Sequence, residues 1–241
     1  MIIIPARLHS TRFPQKMLTE ILGYPMIIRS AFVAQKVDEV VVATDAKEIQ
    51  SVCKKYNIQS ILTQKTHTSG TDRCAEAARL LNLPADEIII NMQGDEPFLE
   101  PEILQKLKET MKTSQAFMGT CICDIDLSKA QDSNLVKVVL DHKNYALYFS
   151  RSPIPFNRDQ LESINYYGHL GIYGFKHKNL QEFCTLPKSP LEEIEKLEQL
   201  RALWNQKSIQ TLKVQTQSIG IDTLEDKHKA IKQFLEAGTS S

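Results

Sequence analysis

The chain opens on Met1-Ile2-Ile3-Ile4, a fully apolar run that turns within a few residues into a polar loop carrying Arg7, Arg12 and Lys16. A strand with one wet face alternates apolar and polar residues, so an unbroken run of this kind predicts a strand buried on both faces of a mainly parallel sheet. Val40-Val41-Val42-Ala43 and Ile88-Ile89-Ile90 repeat the signature. Between these runs lie helix-length segments: Pro25 to Phe32, a helix begun at Asp45 and Glu48 and running to Tyr56, an Ala-rich helix ending near Leu81, and Pro101 to Lys112. A short strand is expected at Ser60–Leu62. Strand and helix alternating at these lengths predict right-handed crossovers and a three-layer α/β/α sandwich around a mainly parallel, mixed sheet.

The second half changes character. Val136–Leu140, Ala146–Ser150 and Tyr166–Phe175 are expected to be strands joined by turns, with Asp141-His142-Lys143-Asn144 turning the first hairpin, so a small β excursion is added to the sheet. A helix from Leu191 to Trp204 is predicted, with Ser189 as N-cap and Pro190 in its first position. A strand at Ile209–Val214 and a helix after Asp222-Thr223 complete one expected domain over 1–241.

Composition narrows the function classes. Lys plus Arg and Asp plus Glu each number 29 in 241 residues, so no global field favours nucleic acid or an anionic membrane, and anion binding has to be local. No apolar run approaches the roughly 20 residues of a membrane helix, and no secretory leader precedes the first strand, so a cytoplasmic protein is expected. The five cysteines lack zinc-site spacing and an even count, which argues against both a metal site and a disulfide framework.

Ligands of open α/β sheets bind beyond the carboxyl ends of the strands. Arg7, Arg12 and Lys16 stand at such an end. Without the glycines of a Walker loop they could cradle phosphates only as side-chain cations, or they form a solvated basic loop. Asp95 and Glu96 follow the strand at Ile88 and reach the same edge. A carboxylate there would repel a triphosphate unless a Mg²⁺ lay between them; the plainer reading is a Gly94-Asp95 turn. Asp222 could be a second metal ligand, although Thr223 and Asp226 form a capping box that accounts for the local polarity. Glu198 and Arg201 fall inside the apolar arc of the Leu191–Trp204 helix. They either pair at i,i+3 or border a polar substrate or a subunit interface. His169 is a lone strand histidine, for which a satisfied structural role is the default. Asp124-Ile125-Asp126 has the form of a glycosyltransferase metal motif without a buried strand end to support it.

Several segments together resemble one family. Ile3-Ile4-Pro5-Ala6-Arg7 through Arg12-Phe13-Pro14-Gln15-Lys16 is similar to the signature of sugar nucleotidyltransferases of the cytidylyltransferase kind. Thr68 to Arg73, Asn91 to Pro97, Asn134 to Val139, Ala146 to Arg151, His169 to Tyr173 and Leu197 to Arg201, in that order, resemble the members that activate the sugar acid 3-deoxy-manno-octulosonate (Kdo). The resemblance implies a nucleotide-diphospho-sugar transferase-like fold and transfer of CMP from CTP to Kdo with release of pyrophosphate, feeding lipopolysaccharide core synthesis. It also implies Mg²⁺ dependence and a cytoplasmic homodimer. About 1–125 would be the nucleotide-binding half, 126–220 the sugar-binding and dimerisation part, and 221–241 a C-terminal helix and tail. By the same resemblance, Pro5, Ala6, Arg7, Arg12, Lys16, Ser69, Gly70 and Arg73 contact the nucleotide, and Arg7 and Lys16 hold its triphosphate. Asp95 and Asp222 bind the metal. Gln93, Arg151, His169, Tyr173, Glu198 and Gln199 line the sugar-acid site. Two departures stand out: Gln15 where many members carry glycine, and Leu224 where a proline is common. A cytidylyltransferase for a sialic acid or an amino-substituted analogue, and a non-catalytic nucleotide-binding protein, are the alternatives.

Overall fold

The computed structural model describes residues 1–8, 13–161 and 164–238. Strand β1 (Ile2–Ala6) leads into a short 3₁₀ turn at Lys16–Leu18, a small hairpin of β2 (Glu20–Ile21) and β3 (Tyr24–Pro25), and helix α1 (Met26–Gln35). The alternation continues with β4 (Val40–Thr44), α2 (Lys47–Lys55), β5 (Gln59–Leu62), α3 (Gly70–Leu80), β6 (Ile88–Asn91) and α4 (Pro101–Thr113). The second half contributes β7 (Met118–Ile125), α5 (Leu127–Ala130), β8 (Lys137–Leu140), β9 (Ala146–Ser150), β10 (Tyr166–Lys176), α6 (His177–Thr185), α7 (Pro190–Glu195), α8 (Leu200–Trp204), β11 (Ile209–Lys213) and α9 (Leu224–Gly238).

The main sheet runs β11-β7-β10-β6-β1-β4-β5, with β8 and β9 paired beside β10 as the predicted excursion. Pairs β1–β4, β1–β6, β4–β5 and β7–β11 are parallel, whereas β10 is antiparallel to both β6 and β7. The unbroken apolar runs are buried on both faces, as expected. Ile2, Ile4, Val40, Val42 and Ile90 pack with α1, α2 and α4 on one side. Ile3 and Ile89 pack with the Ala-rich α3 and with α6 on the other. This is the three-layer sandwich with a mixed, mainly parallel sheet.

Several local expectations need correction. The segment Leu191–Trp204 is not one helix. Lys196 adopts φ 55° and ends α7, so Leu197-Glu198-Gln199 form a link before α8. Ile194 and Trp204, placed in a continuous apolar arc by the spacing, are consequently 78% and 53% exposed. Asp45 does not cap α2: Ala46 holds that position, and the Asp45 carboxylate accepts from Arg73 instead. Strand β7 and helices α5 and α6 were not anticipated. In β7, Gly119 packs so closely on α4 that a Cβ there would lie 2.5 Å from Met111 Sδ. Asp124 lies on β7 and pairs with Lys213 at 2.8 Å, and Asp126 caps α5, so both acids of the Asp-x-Asp pattern are engaged structurally.

Candidate active site

The carboxyl ends of β1 and β6 and the start of α3 surround a cleft of about 320 Å³. Of the residues singled out from sequence, Pro5, Ala6, Arg7, Lys16, Ser69, Gly70, Arg73, Gln93, Asp95 and Asp222 line it. Arg12 lies outside the described residues.

Lys16 stands at the cleft between the buried side chains of Phe13 and Met17, which anchor the chain on either side of it. Gln15 sits at φ 52°, ψ 29° just before it, so a glutamine is held in the left-handed region that favours glycine. The Lys16 ammonium donates to Asp95 Oδ2 at 2.6 Å and to Asp222 Oδ1 at 2.9 Å. Burial works against the charge, but Asp95 first and then Asp222 more than offset it, and the amine is held above the ordinary lysine range.

Asp95 needs only its position after β6. Asp222 arrives from far along the chain, and its return is stitched to the Asp95–Glu100 segment residue by residue. Thr216 Oγ1 and the Gln217 amide donate to Glu100 at 2.7 and 2.8 Å, Ser218 Oγ donates to Glu96 at 2.8 Å, and the Ile221 amide donates to Asp95 O at 2.9 Å. The Thr223–Asp226 capping box also forms, with Thr223 Oγ1 donating to Asp226 at 2.8 Å. The structural and the site readings of this stretch therefore coexist. Glu96 and Glu100 were missed as positioning groups, since nothing in their spacing points to Thr216–Ser218. Burial and the neighbouring Asp95 push the Glu96 carboxyl up to about 7.

On the opposite wall Ser69 caps α3 by accepting the Asp72 amide at 3.1 Å, so the helix N-terminus opens into the cleft beside Pro5. Arg73 is buried and fixed by Asp45 at 2.9 Å and Thr63 at 2.6 Å, which ties α3 to the ends of β4 and β5. Gln93 bridges to Gly171 O at 3.3 Å, where β10 shifts register against β7 between Leu170 and Tyr173.

Behind this wall lies a second polar group. Thr71 Oγ1 donates to Glu198 Oε1 at 2.7 Å, Asn91 Nδ2 donates to Thr71 Oγ1 at 3.1 Å, and Tyr173 OH donates to Gln199 Oε1 at 3.0 Å. Burial pushes the Glu198 carboxyl up. The i,i+3 partner expected for Arg201 is replaced by Glu192, bound through Nε at 2.9 Å and Nη2 at 2.5 Å.

His169 stacks edge-on against Phe149 and lies 2.8 Å from Thr120 Oγ1 through Nε2. The Thr120 hydroxyl also meets the carbonyls of Leu170 and Ile172; its single proton goes to one of them, so Nε2–H of His169 is the donor to Thr120. Burial pushes the His169 pKa down to about 3. An unfolded histidine takes a proton below about 6.5, whereas this one stays neutral, so its contribution is complete above that value and is lost as pH falls. Urea unfolding is expected to show wild-type stability falling between pH 6.5 and 5 more steeply than that of His169→Asn, by up to ~1.4 kcal/mol per pH unit. Parallel pH dependences in the two proteins would contradict this.

Arg151 is not brought to the cleft. Its Nε donates to Glu195 O at 2.8 Å and its Nη1 to Ser133 O at 2.9 Å, while the Glu195 carboxylate takes the Arg151 amide and the Ser150 hydroxyl. Arg151 thus joins the β9 end to α7.

Two carboxylates converging on one cation suit a magnesium ion, which binds through one or two protein carboxylates and completes its shell with phosphate oxygens and water. Among the described residues no group of three or more His, Cys, Asp or Glu is assembled as a closed metal cage.

Comparison with known proteins agrees with this architecture. The family model for cytidylyltransferases matches residues 1–209. The 3-deoxy-manno-octulosonate cytidylyltransferase of Wolinella succinogenes is 56% identical, over 97% of this chain and 99% of its own. That of Helicobacter acinonychis is 55% identical over the full length of both. A solved CMP:2-keto-3-deoxy-manno-octonic acid synthetase complexed with CTP superposes with a TM-score of 0.91 at 36% identity, covering 98% of each chain. Matched by the family model over most of its length and by relatives more than half identical from end to end, the chain belongs to the cytidylyltransferase family of nucleotidyltransferases.

Proposed function

We propose that this protein transfers CMP from CTP to Kdo, forming CMP-Kdo and pyrophosphate for lipopolysaccharide core synthesis. The observation that carries the reading is the meeting of Lys16, Asp95 and Asp222 at the sheet edge in a chain whose relatives bear that name.

In this reading Arg7 and Lys16 grip the triphosphate, with Arg12 assigned there by family resemblance, and the α3 N-terminus at Ser69-Gly70 and Arg73 bound the nucleotide pocket with Pro5 and Ala6. Gln93, His169, Tyr173, Glu198 and Gln199 serve the sugar acid, with Arg151 acting from behind as a loop anchor. The anomeric hydroxyl of Kdo attacks the α-phosphorus in line, the bond to the bridging oxygen breaks, and pyrophosphate leaves. Lys16 offsets the charge that builds on the leaving group, and the walls hold the two substrates in line. Asp95 and Asp222 would hold Mg²⁺, which when bound supplies charge neutralisation at the phosphates. Lys16, bound here to both carboxylates, would turn to the phosphates when Asp95 and Asp222 hold the metal.

The division of labour assigned to 1–125, 126–220 and 221–241 within one domain is part of the same reading, as are a cytoplasmic location and a homodimer. Leu147, Phe156 and Ile194, at 59%, 84% and 78% exposure in and beside the β8–β9 excursion, would be covered by a second copy. No helix among the described residues is long and apolar enough to cross a membrane.

The test is pyrophosphate release with each nucleoside triphosphate crossed against Kdo and sialic acid. CTP with Kdo is expected to be the productive pair. Turnover with sialic acid and none with Kdo would reject the assignment.

A further inference from the structure

The second polar group is only half satisfied. Glu198 has Oε1 held by Thr71 and Gln199 has Oε1 held by Tyr173, yet Glu198 Oε2, Gln199 Nε2 and Asn91 Oδ1 are buried with no hydrogen-bond partner among the described residues. Buried polar atoms are costly to leave unpaired, so neighbouring side chains that each have one end fixed and one end open point to a ligand that completes them.

We propose that Thr71 and Asn91 are positioning residues that set the polarity of the sugar-acid pocket, holding Glu198 as an acceptor for a ligand hydroxyl. The inference rests on the reading that Kdo is the acceptor substrate. Thr71 and Asn91 are 1% and 0% exposed, so neither touches bulk water.

Proton accounting gives the relay one direction. Burial works against the Glu198 charge while the Thr71 hydrogen bond and the nearby Arg201 favour it; with Glu198 ionised it cannot donate, and the Thr71 hydroxyl proton goes to Glu198 Oε1. The Thr71 oxygen then has only lone pairs to offer, which Asn91 Nδ2 fills. Reversing the Asn91 amide would set two acceptors against each other. With Oε1 occupied, the open lone pairs of Glu198 are those of Oε2. The open Gln199 Nε2 on the next residue is a donor. An acceptor and a donor from adjacent residues suit a neutral hydroxyl, which both gives and accepts a hydrogen bond. Substrate class and orientation would therefore depend on two residues, one at the first turn of α3 and one at the end of β6, that lie behind the ligand-facing groups.

The experiment compares wild type, Thr71→Val and Thr71→Ser by pyrophosphate release, varying Kdo at saturating CTP and CTP at saturating Kdo. Thr71→Val keeps the shape and removes the hydroxyl. It is expected to raise KM for Kdo by about 10-fold or more, the scale of one lost hydrogen bond to a charged group, and to leave KM for CTP within about two-fold. Thr71→Ser should bring the Kdo value back to within about three-fold of wild type. A purely structural role would move both KM values together; that result, or no change in either, overturns the proposal. If Thr71→Val fails to fold, Asn91→Leu takes its place and should show the same split, with an equal effect on both substrates counting against the relay. Wild-type enzyme inactive with Kdo would remove the functional reading and this inference with it, and is seen before any variant is compared.

Discussion

Asp95→Asn is expected to lower kcat by on the order of 10²–10³-fold while the protein unfolds at nearly the wild-type temperature. The substitution preserves the shape of the side chain and removes its charge. Asp95 is one of two acids on the Lys16 ammonium, and its side chain is 25% exposed, so the folded protein retains the Lys16–Asp222 contact and loses little packing. The reaction is more sensitive. Phosphoryl transfer draws its rate from positioned charge, and a neutral amide at this point weakens both the hold on a divalent cation and the orientation of Lys16. Steady-state pyrophosphate release and thermal unfolding, measured on the same preparation, separate the two effects. Near-normal turnover would remove Asp95 from the metal role; a collapse in melting temperature would make it a structural residue.

The second large effect concerns stability. Arg201→Met is expected to cost about 3–5 kcal/mol, a large fraction of the roughly 5–15 kcal/mol that holds a domain folded. Arg201 and Glu192 are 3% and 8% exposed and meet through two hydrogen bonds, and the guanidinium lies 4.9 Å from the centre of the Phe183 ring. Removing the arginine leaves a carboxylate in a low-dielectric pocket with its partner gone. Removing both charges is a different experiment: Glu192→Leu combined with Arg201→Met should recover much of the loss, because the cost lies in the uncompensated ion rather than in a missing attraction. Urea midpoints at unchanged m-value measure both. A single-variant loss below about 1 kcal/mol would mean that the pair is solvated and worth no more than a surface bridge.

How far the sequence could be read depended on whether a signal was local. Ile2–Ile4, Val40–Ala43 and Ile88–Ile90 announce buried strands because every residue in them is apolar, and the structure buries each run on both faces. Strand β7 carries Gly119, Thr120 and Cys121, small residues that show no strand pattern, and the bare Gly119 lets α4 pack close. The break at Lys196 was invisible because a left-handed lysine leaves no trace where a glycine would have. For the site, Lys16 and Asp95 could be placed at one sheet edge from strand ends alone. Asp222 could not, since its arrival depends on Glu96 and Glu100 gripping residues more than a hundred positions away. Glu198 stood out as a charge on an apolar face, but it lies in the link between α7 and α8 and its partner Thr71 comes from the distant α3. Arg151 carried a family motif, and only the carbonyls of Ser133 and Glu195 show where its guanidinium goes.

The place of β10 in the sheet has a consequence for how the protein is made. β10 is inserted antiparallel between β6 and β7, both of which leave the ribosome before it. Until residues 166–176 emerge, the Ile88–Asn91 strand has one unpaired edge of amides and carbonyls, and it is among the most apolar strands of the chain. Such an edge is a template for pairing with another nascent copy. Stalled or truncated products ending before β10 are therefore the species most in need of a chaperone. The finished enzyme is protected by a strand synthesised late, and Asp222 joins the site later still.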